Sequence, residues 1–282
     1  MICQSCGSNN KIVLYPGLLD RCAECGLVRA DEKFFNSLQA ETLYNEKYFK
    51  GAEYENYEND KQTLQKNFDR RIKSILKTRD RNAISNVLEL GCAYGYFYET
   101  LKQSVDCKYL GIDISKEAVR GALNNYGNFF RSGDFISESF TEKYSDIFLW
   151  DAIEHLDKPS DFFNKMHDLL MEDGRVYLTT GDIGALMPRV QKKKWRMIHP
   201  PSHLFYFSKK TITSFLENHG FRVLKIEYPP VYRSICVIYY SLFILGKKKK
   251  SSFHNAIFKL INPKWFIPIN TFDIMFVTAV KK

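Results

Sequence analysis

The chain has 282 residues, of which 45% are hydrophobic and 15% aromatic. That is enough to bury a core in one ordinary domain with a small appendage, and too much for a disordered protein. Its formal charge of +9 favours anionic partners in general without choosing among nucleic acid, acidic lipid and phosphate-bearing substrates, and the lack of a basic-then-apolar leader points to a cytoplasmic protein.

In chain order, the first feature is a pair of cysteine motifs, Cys3-x-x-Cys6 and Cys22-x-x-Cys25, fifteen residues apart and each followed by a glycine, Gly7 and Gly26. A glycine there lets the chain turn so that amides face the thiolates, and four sulfurs satisfy tetrahedral Zn²⁺. Residues 1–30 are therefore expected to form a zinc ribbon with a closed, structural site at Cys3, Cys6, Cys22 and Cys25. The residues between the pairs are mostly apolar (Ile12, Val13, Leu14, Leu18, Leu19), which suits docking better than nucleic-acid contact.

Residues 31–82 carry Phe34, Phe35, Tyr44, Tyr48, Phe49, Tyr54 and Tyr57, too many aromatics for a free linker. Leu64, Phe68, Ile72, Ile75 and Leu76 then recur at helical spacing and predict an amphipathic helix over Asp60 to Thr78 that packs on the main domain. The whole segment is read as an aromatic linker and helix capping the active site.

From residue 83 onward strands alternate with helices: Val87 to Leu90, Tyr109 to Asp113, Phe129 to Arg131, Asp146 to Trp150, Val176 to Thr180, Phe221 to Tyr228 and Ile274 to Ala279. That rhythm predicts an α/β domain over 83–282 built on a doubly wound sheet, interrupted by an insertion at 229–270. The first strand ends in Glu89-Leu90-Gly91-Cys92-Ala93-Tyr94-Gly95, and the second ends at Asp113. Gly91 and Gly95 permit a tight turn beside a ligand, and Asp113 lies about 20 residues on, where a carboxylate can accept the hydroxyls of an adenosine ribose. Ala93 and Tyr96 stand where a dinucleotide-binding G-x-G-x-x-G turn would differ, so an adenosine-like ligand without a pyrophosphate is expected.

The pattern E-x-G-x-A-x-G resembles motif I of class I S-adenosylmethionine-dependent methyltransferases. The resemblance covers the chain from about Ala83 and implies a seven-stranded, mostly parallel sheet whose last strand runs antiparallel. It also implies a set of cofactor-binding residues. Glu89 would reach the amino group of the donor, Gly91, Ala93 and Gly95 wrap its methionine end, and Asp113 with Ile114 hold the ribose. Asp134 and Phe135 would take the adenine, and Asp151 begins the methyl end of the pocket.

Trp150 to Pro159 resembles the segment after strand four in methyltransferases of sugars, quinones and small metabolites. Trp195 to Ser208 resembles the substrate-side loop of bacterial polysaccharide-modifying enzymes. Methyl transfer from a sulfonium needs alignment and removal of the acceptor's proton, and histidine suits that task. His155 is the first candidate base and His203 the second, with Glu154 beside them. On a helical turn Asp151, Glu154 and His155 would share one face. With His203 they resemble the cation site of RNA 3′-end methyltransferases, so a second divalent cation is the alternative to a histidine base.

Taken together, these resemblances imply transfer of methyl to a hydroxyl of a sugar or glycan intermediate in surface polysaccharide biosynthesis. Ser234 to Gly246 followed by four lysines reads either as an interfacial helix on the inner face of the membrane, giving a peripheral contact through 234–250, or as a buried helix; thirteen uncharged residues do not span. Two alternatives stay open: a C-methyltransferase of nucleotide-linked deoxysugars, and a non-catalytic zinc-ribbon RNA-binding protein. Retention of Glu89, Asp113 and Asp134 speaks against the latter, so nucleic acid is not the expected partner. The oligomeric state is left open.

Overall fold

The computed structural model describes residues 1–36, 60–235, 238–239 and 265–282. Most of the aromatic linker and the lysine-rich part of the insertion, including nearly all of 234–250, lie outside the described residues.

Thirteen strands are described. Three belong to the amino-terminal ribbon: β1 (Lys11–Tyr15), β2 (Leu19–Cys22) and β3 (Val28–Ala30). Then come β4 (Asn86–Leu90), β5 (Lys108–Asp113), β6 (Phe130–Ser132), β7 (Tyr144–Trp150), β8 (Leu170–Gly181), β9 (Phe205–Tyr206), β10 (Phe221–Glu227), β11 (Val231–Ser234), β12 (Phe266–Ile269) and β13 (Ile274–Lys281). Seven of them form one sheet in the order β10-β13-β8-β7-β4-β5-β6. Each of the seven overlaps an expected segment, and β8 begins six residues before its own. Strands β4 to β8 in this sheet pair in parallel, and β13 is antiparallel to both β8 and β10.

The parallel order follows from composition. Every residue of β4 and of β7 is buried, as both faces of such a sheet are covered. On one face Leu88, Leu90, Ile147 and Leu149 meet Phe163, Met166 and Phe215. On the other, Val87, Phe148 and Trp150 meet Phe97 and the predicted amphipathic helix, which spans Lys61–Ile75 and buries Phe68, Ile72 and Ile75.

Two pairings carry no signal in the sequence. Strand β9 joins β3, with Val28 opposite Tyr206 and Arg29 opposite Phe205, so the ribbon sheet is four-stranded in the order β1-β2-β3-β9. The insertion contributes an antiparallel pair, β11 with β12. Asn67 in the capping helix exchanges two hydrogen bonds with the backbone of Tyr232 on β11, donating to its carbonyl (3.3 Å) and accepting its N–H (2.7 Å). The helix thus ties the insertion to the main sheet.

The ribbon docks on its own chain. Cys3, Cys22, Leu27 and Ala30 share a core with Phe205, Phe207 and Phe215, and Asn218 Nδ2 donates to the Ser5 carbonyl (2.9 Å). Of the apolar residues between the cysteine pairs, Leu19 is fully buried, whereas Ile12 and Val13 remain 46% and 56% exposed on the outer strand.

Candidate active site

In an open parallel sheet, ligands bind outside the carboxyl ends of the strands. The turn after β4 is built for close approach. Gly91, Ala93 and Gly95 all have left-handed φ, at 77°, 44° and 77°. A Cβ on Gly95 would lie 2.7 Å from Phe130 Cζ, so this glycine is required by packing as well as by its φ. Ala93 accepts a conformation that costs an alanine energy, the sort of local strain that collects at ligand sites.

Asp113, at the tip of β5, organises the turn. One carboxylate oxygen accepts the Ala93 N–H and the other the Ser115 N–H, each at 2.8 Å. Burial raises its pKa, while those two N–H groups pull the other way. Two bonds leave part of a carboxylate's acceptor capacity for a ligand. Ile114 follows it, half-buried. Ser115 in turn caps the next helix, accepting the Ala118 N–H.

Glu89 is 2% exposed and accepts the hydroxyl of Tyr109. Burial, aided by the negative charge of Asp113 and opposed by that hydroxyl, lifts its pKa to about 8. Asp134 is exposed, and its carboxylate accepts the Ile136 N–H (3.0 Å), which makes it the pivot of the turn after β6. Phe135 is 3% exposed, with its ring against Phe140 and Phe162. Its ring lies in the core, and its carbonyl accepts Lys165 Nζ (2.7 Å).

The segment after β7 departs from the expected helical turn. Asp151 takes a left-handed φ of 50°, and the helical part is a single 3₁₀ turn, Ile153–His155. Asp151 is exposed and pairs with Arg71 at 4.0 Å, while Glu154 is 2% exposed. The expectation that Asp151, Glu154 and His155 share one face of a helical turn is corrected: Asp151 lies before the 3₁₀ turn with a left-handed φ, and the ligand atoms that converge are those of Glu154, His155 and His203 without Asp151. Arg71 itself stacks over Trp150 at 5.0 Å.

Glu154 and His155 meet His203 instead. Their ligand atoms all lie within 4.8 Å of one another, and the two imidazoles are edge to face with centroids 4.6 Å apart. His155 Nδ1 donates to the Ser202 carbonyl (2.7 Å), and His203 Nδ1 donates to the Met197 carbonyl (2.9 Å). A carbonyl only accepts, so both rings carry their proton on Nδ1 and present Nε2 as the basic nitrogen. Burial holds His155 neutral down to about 4, against the Ser202 carbonyl that favours its charged form. It depresses His203 further still, helped by its histidine neighbours.

His199 was not singled out by the sequence, although His199-Pro-Pro-Ser-His203 offered an i, i+4 spacing. Its ring lies 3.8 Å from that of His203, and its Nδ1 is 2.7 Å from Ser202 Oγ. Ser202 and Met197 orient the rings through their carbonyls, which no side-chain pattern can announce.

The loop that carries these histidines is fixed from both sides. The Leu204 N–H donates to the Glu154 carbonyl (2.8 Å), and the Ala30 N–H of β3 donates to the Leu204 carbonyl (2.7 Å). At its start, Trp195 Nε1 donates to Asp273 (2.8 Å), which also faces Arg196 at 3.3 Å.

At the ribbon, the four expected cysteines converge, with ligand sulfurs within 4.8 Å of one another. Cys3 and Cys25 sulfurs are 3.5 Å apart, and those of Cys6 and Cys22 3.6 Å. Both turns close alike, Gly7 N–H onto the Cys3 carbonyl and Gly26 N–H onto that of Cys22, with each glycine left-handed. Burial would raise the Cys22 thiol, but the N–H groups of Cys25 and Glu24 and the adjoining thiols bring it down to about 7.

A family model described as a methyltransferase domain matches residues 53–226, more than half of the chain. The chain belongs to this family. It is an S-adenosylmethionine-dependent methyltransferase. The methyltransferase also shares its fold with solved structures of low identity. Magnesium protoporphyrin IX methyltransferase from Synechocystis PCC 6803, crystallised with bound S-adenosylmethionine, is 14% identical, with a TM-score of 0.51 over 87% of this chain and 99% of that one. A methyltransferase from Thermotoga maritima is 14% identical, with a TM-score of 0.52 over 80% and 94%. The YcgJ protein of Bacillus subtilis is 16% identical, with a TM-score of 0.51 over 74% and 97%. No curated protein matches the sequence.

Proposed function

We propose that this methyltransferase moves the methyl group of S-adenosylmethionine to a hydroxyl of a sugar or glycan intermediate of surface polysaccharide biosynthesis. The observation that carries the acceptor half is the meeting of His155 with His203. Two loops far apart in sequence bring neutral imidazoles to one spot beside the carboxyl ends of the sheet. Such a spot suits a neutral acceptor whose proton must leave.

Asp113 would hold the ribose of the donor and the Gly91 to Gly95 backbone its methionine end, with Glu89 supplying a carboxylate for the ammonium. Asp134 and Phe135 would border the adenine. The acceptor oxygen attacks the methyl carbon, the carbon–sulfur bond breaks with its electron pair staying on sulfur, and the hydroxyl proton passes to the histidine side. In-line alignment does most of the work in such a displacement.

The ribbon holds a structural Zn²⁺ in this reading. Zn–S bonds of about 2.3 Å place tetrahedral sulfurs about 3.8 Å apart, close to the 3.5 and 3.6 Å found. The four thiols would release their protons to solvent on binding the metal and hold it as thiolates. No helix among the described residues is long and apolar enough to cross a membrane, and peripheral contact through 234–250 stands as a proposal of the sequence.

Incubation of the protein with methyl-labelled donor and four acceptor pools (nucleotide sugars, isolated glycans, lipid extract and RNA) tests the assignment. Label in the glycan or nucleotide-sugar pool, released as an O-methyl sugar on hydrolysis, is the expected result. Label confined to RNA, or a C-methyl sugar, replaces it with one of the alternatives.

A further inference from the structure

We infer that Glu154, His155 and His203 form a binding site for a divalent transition-metal ion, placed to hold the acceptor hydroxyl in the reaction proposed above. The inference rests on that reading only for the role of the ion; the site itself stands on the convergence of its three ligand groups.

Three observations support it. The donor set comes first: one carboxylate and two imidazoles, with donor atoms all within 4.8 Å of one another. Two histidines and a glutamate are the ligands of open transition-metal sites, in which the remaining positions are left to water or substrate. Bond lengths of about 2.0–2.2 Å put neighbouring ligands about 3.3 Å apart in a tetrahedral site. Closing on an ion therefore requires each donor to move by about 1 Å or less.

The orientation of the rings is the second. Each histidine spends Nδ1 on a backbone carbonyl, Ser202 for His155 and Met197 for His203. That outer bond is the usual partner of a metal-bound imidazole, fixing the tautomer and aiming Nε2 inward. Two histidines from different segments have the same arrangement, and their rings meet at 83°.

Burial and anchoring are the third. Glu154 and His203 are 2% and 4% exposed, and the two loops that carry the set are joined by the Leu204 N–H to Glu154 carbonyl bond. The two loops are thus held together before any ligand arrives. Asp151, which the sequence grouped with these residues, is turned to Arg71 and takes no part. An ion held here by three protein ligands would take an acceptor hydroxyl in an open position and lower its pKa. With Nδ1 of both histidines on carbonyls and Nε2 on the ion, the acceptor's proton leaves to solvent rather than to a histidine, and the oxygen attacks the methyl carbon.

Manganese titration of the full chain, with its ribbon loaded with zinc and followed by electron paramagnetic resonance, tests the site, because hard Mn²⁺ does not displace zinc from four thiolates. The expected result is one bound Mn²⁺ per chain, weakened at least about tenfold in Glu154→Gln and in His203→Gln. Circular dichroism and retained ribbon zinc verify that each variant is folded, and His155→Gln replaces either one that is not. Absence of Mn²⁺ binding to the wild-type chain, or binding that all folded variants keep, overturns the inference. Methyl transfer to glycan that proceeds without any bound Mn²⁺ removes the ion and leaves the transferase reading intact. Bound Mn²⁺ lost in the variants upholds the site even if no glycan is methylated.

Discussion

Asp113 shows how much one carboxylate does in this fold. It holds the Ala93 and Ser115 amides at 2.8 Å each and so joins the glycine turn to the next helix before any donor binds. Asp113→Asn replaces one acceptor oxygen and removes the charge. Hydrogen bonds to charged groups contribute about 1.5–3 kcal/mol, so donor affinity should fall about 10- to 100-fold by calorimetry. Glu89 behaves differently, because it is buried with a pKa raised to about 8. The stability contributed by its buried acid form is present below the ordinary carboxylate range and is lost as pH rises through 8. Glu89→Gln should therefore gain on the wild type by up to about 1.4 kcal/mol per pH unit between pH 5 and 8, as read by denaturant unfolding at several pH values. A stability difference independent of pH would mean that Glu89 is ionised in the folded chain. At this scale the sequence announced the acids at the strand tips, because motif spacing fixes them. It could not announce that Asp151 adopts a left-handed φ of 50° and leaves the cluster, because a single backbone twist has no residue signature here.

Among the elements, the turn after β4 and the ribbon make the sharpest predictions. A Cβ at Gly95 would stand 2.7 Å from Phe130 and 3.0 Å from Tyr126, with a φ of 77° that a side chain disfavours. Gly95→Ala should destabilise by about 1–3 kcal/mol and weaken donor binding, measured by unfolding and calorimetry on the same samples. The amino-terminal sheet reaches the histidine cluster through β3, whose Ala30 N–H holds the Leu204 carbonyl one residue after His203. Stripping the cysteine cluster, by Cys6→Ser or by a chelator, should lower the melting midpoint by about 5–10 °C, a loss of a few kcal/mol in a chain of this size. It should also slow methyl transfer more than it weakens donor binding, since the loosened loop carries His203 and not the donor turn. Equal loss of both would argue that the ribbon supports the whole sheet. The two cysteine pairs made the four-cysteine cluster legible, but the two-residue strand β9, which pairs with β3, has no turn or periodicity to mark it.

Over the whole molecule, the parallel part of the main sheet was legible because β4 and β7 carry apolar runs, Val87-Leu88 and Ile147 to Trp150, and the strand-helix alternation left few topologies open. The antiparallel β13 was not readable from its own residues and came only with the resemblance. The histidine site was half legible: His155 and His203 stood out as residues, yet their meeting depends on carbonyls of Ser202 and Met197 and on the ribbon that braces their loop. Every functional claim about this methyltransferase assumes that the crevice at the tips of β4 and β5 holds S-adenosylmethionine. Isothermal titration of the zinc-loaded chain with that donor, run beside NAD and beside the Asp113→Asn variant, measures this directly. The account predicts one donor molecule per chain, no heat from the dinucleotide, and a 10- to 100-fold weaker variant, about 1.5–3 kcal/mol. A chain that ignores S-adenosylmethionine, or prefers the dinucleotide, would contradict it.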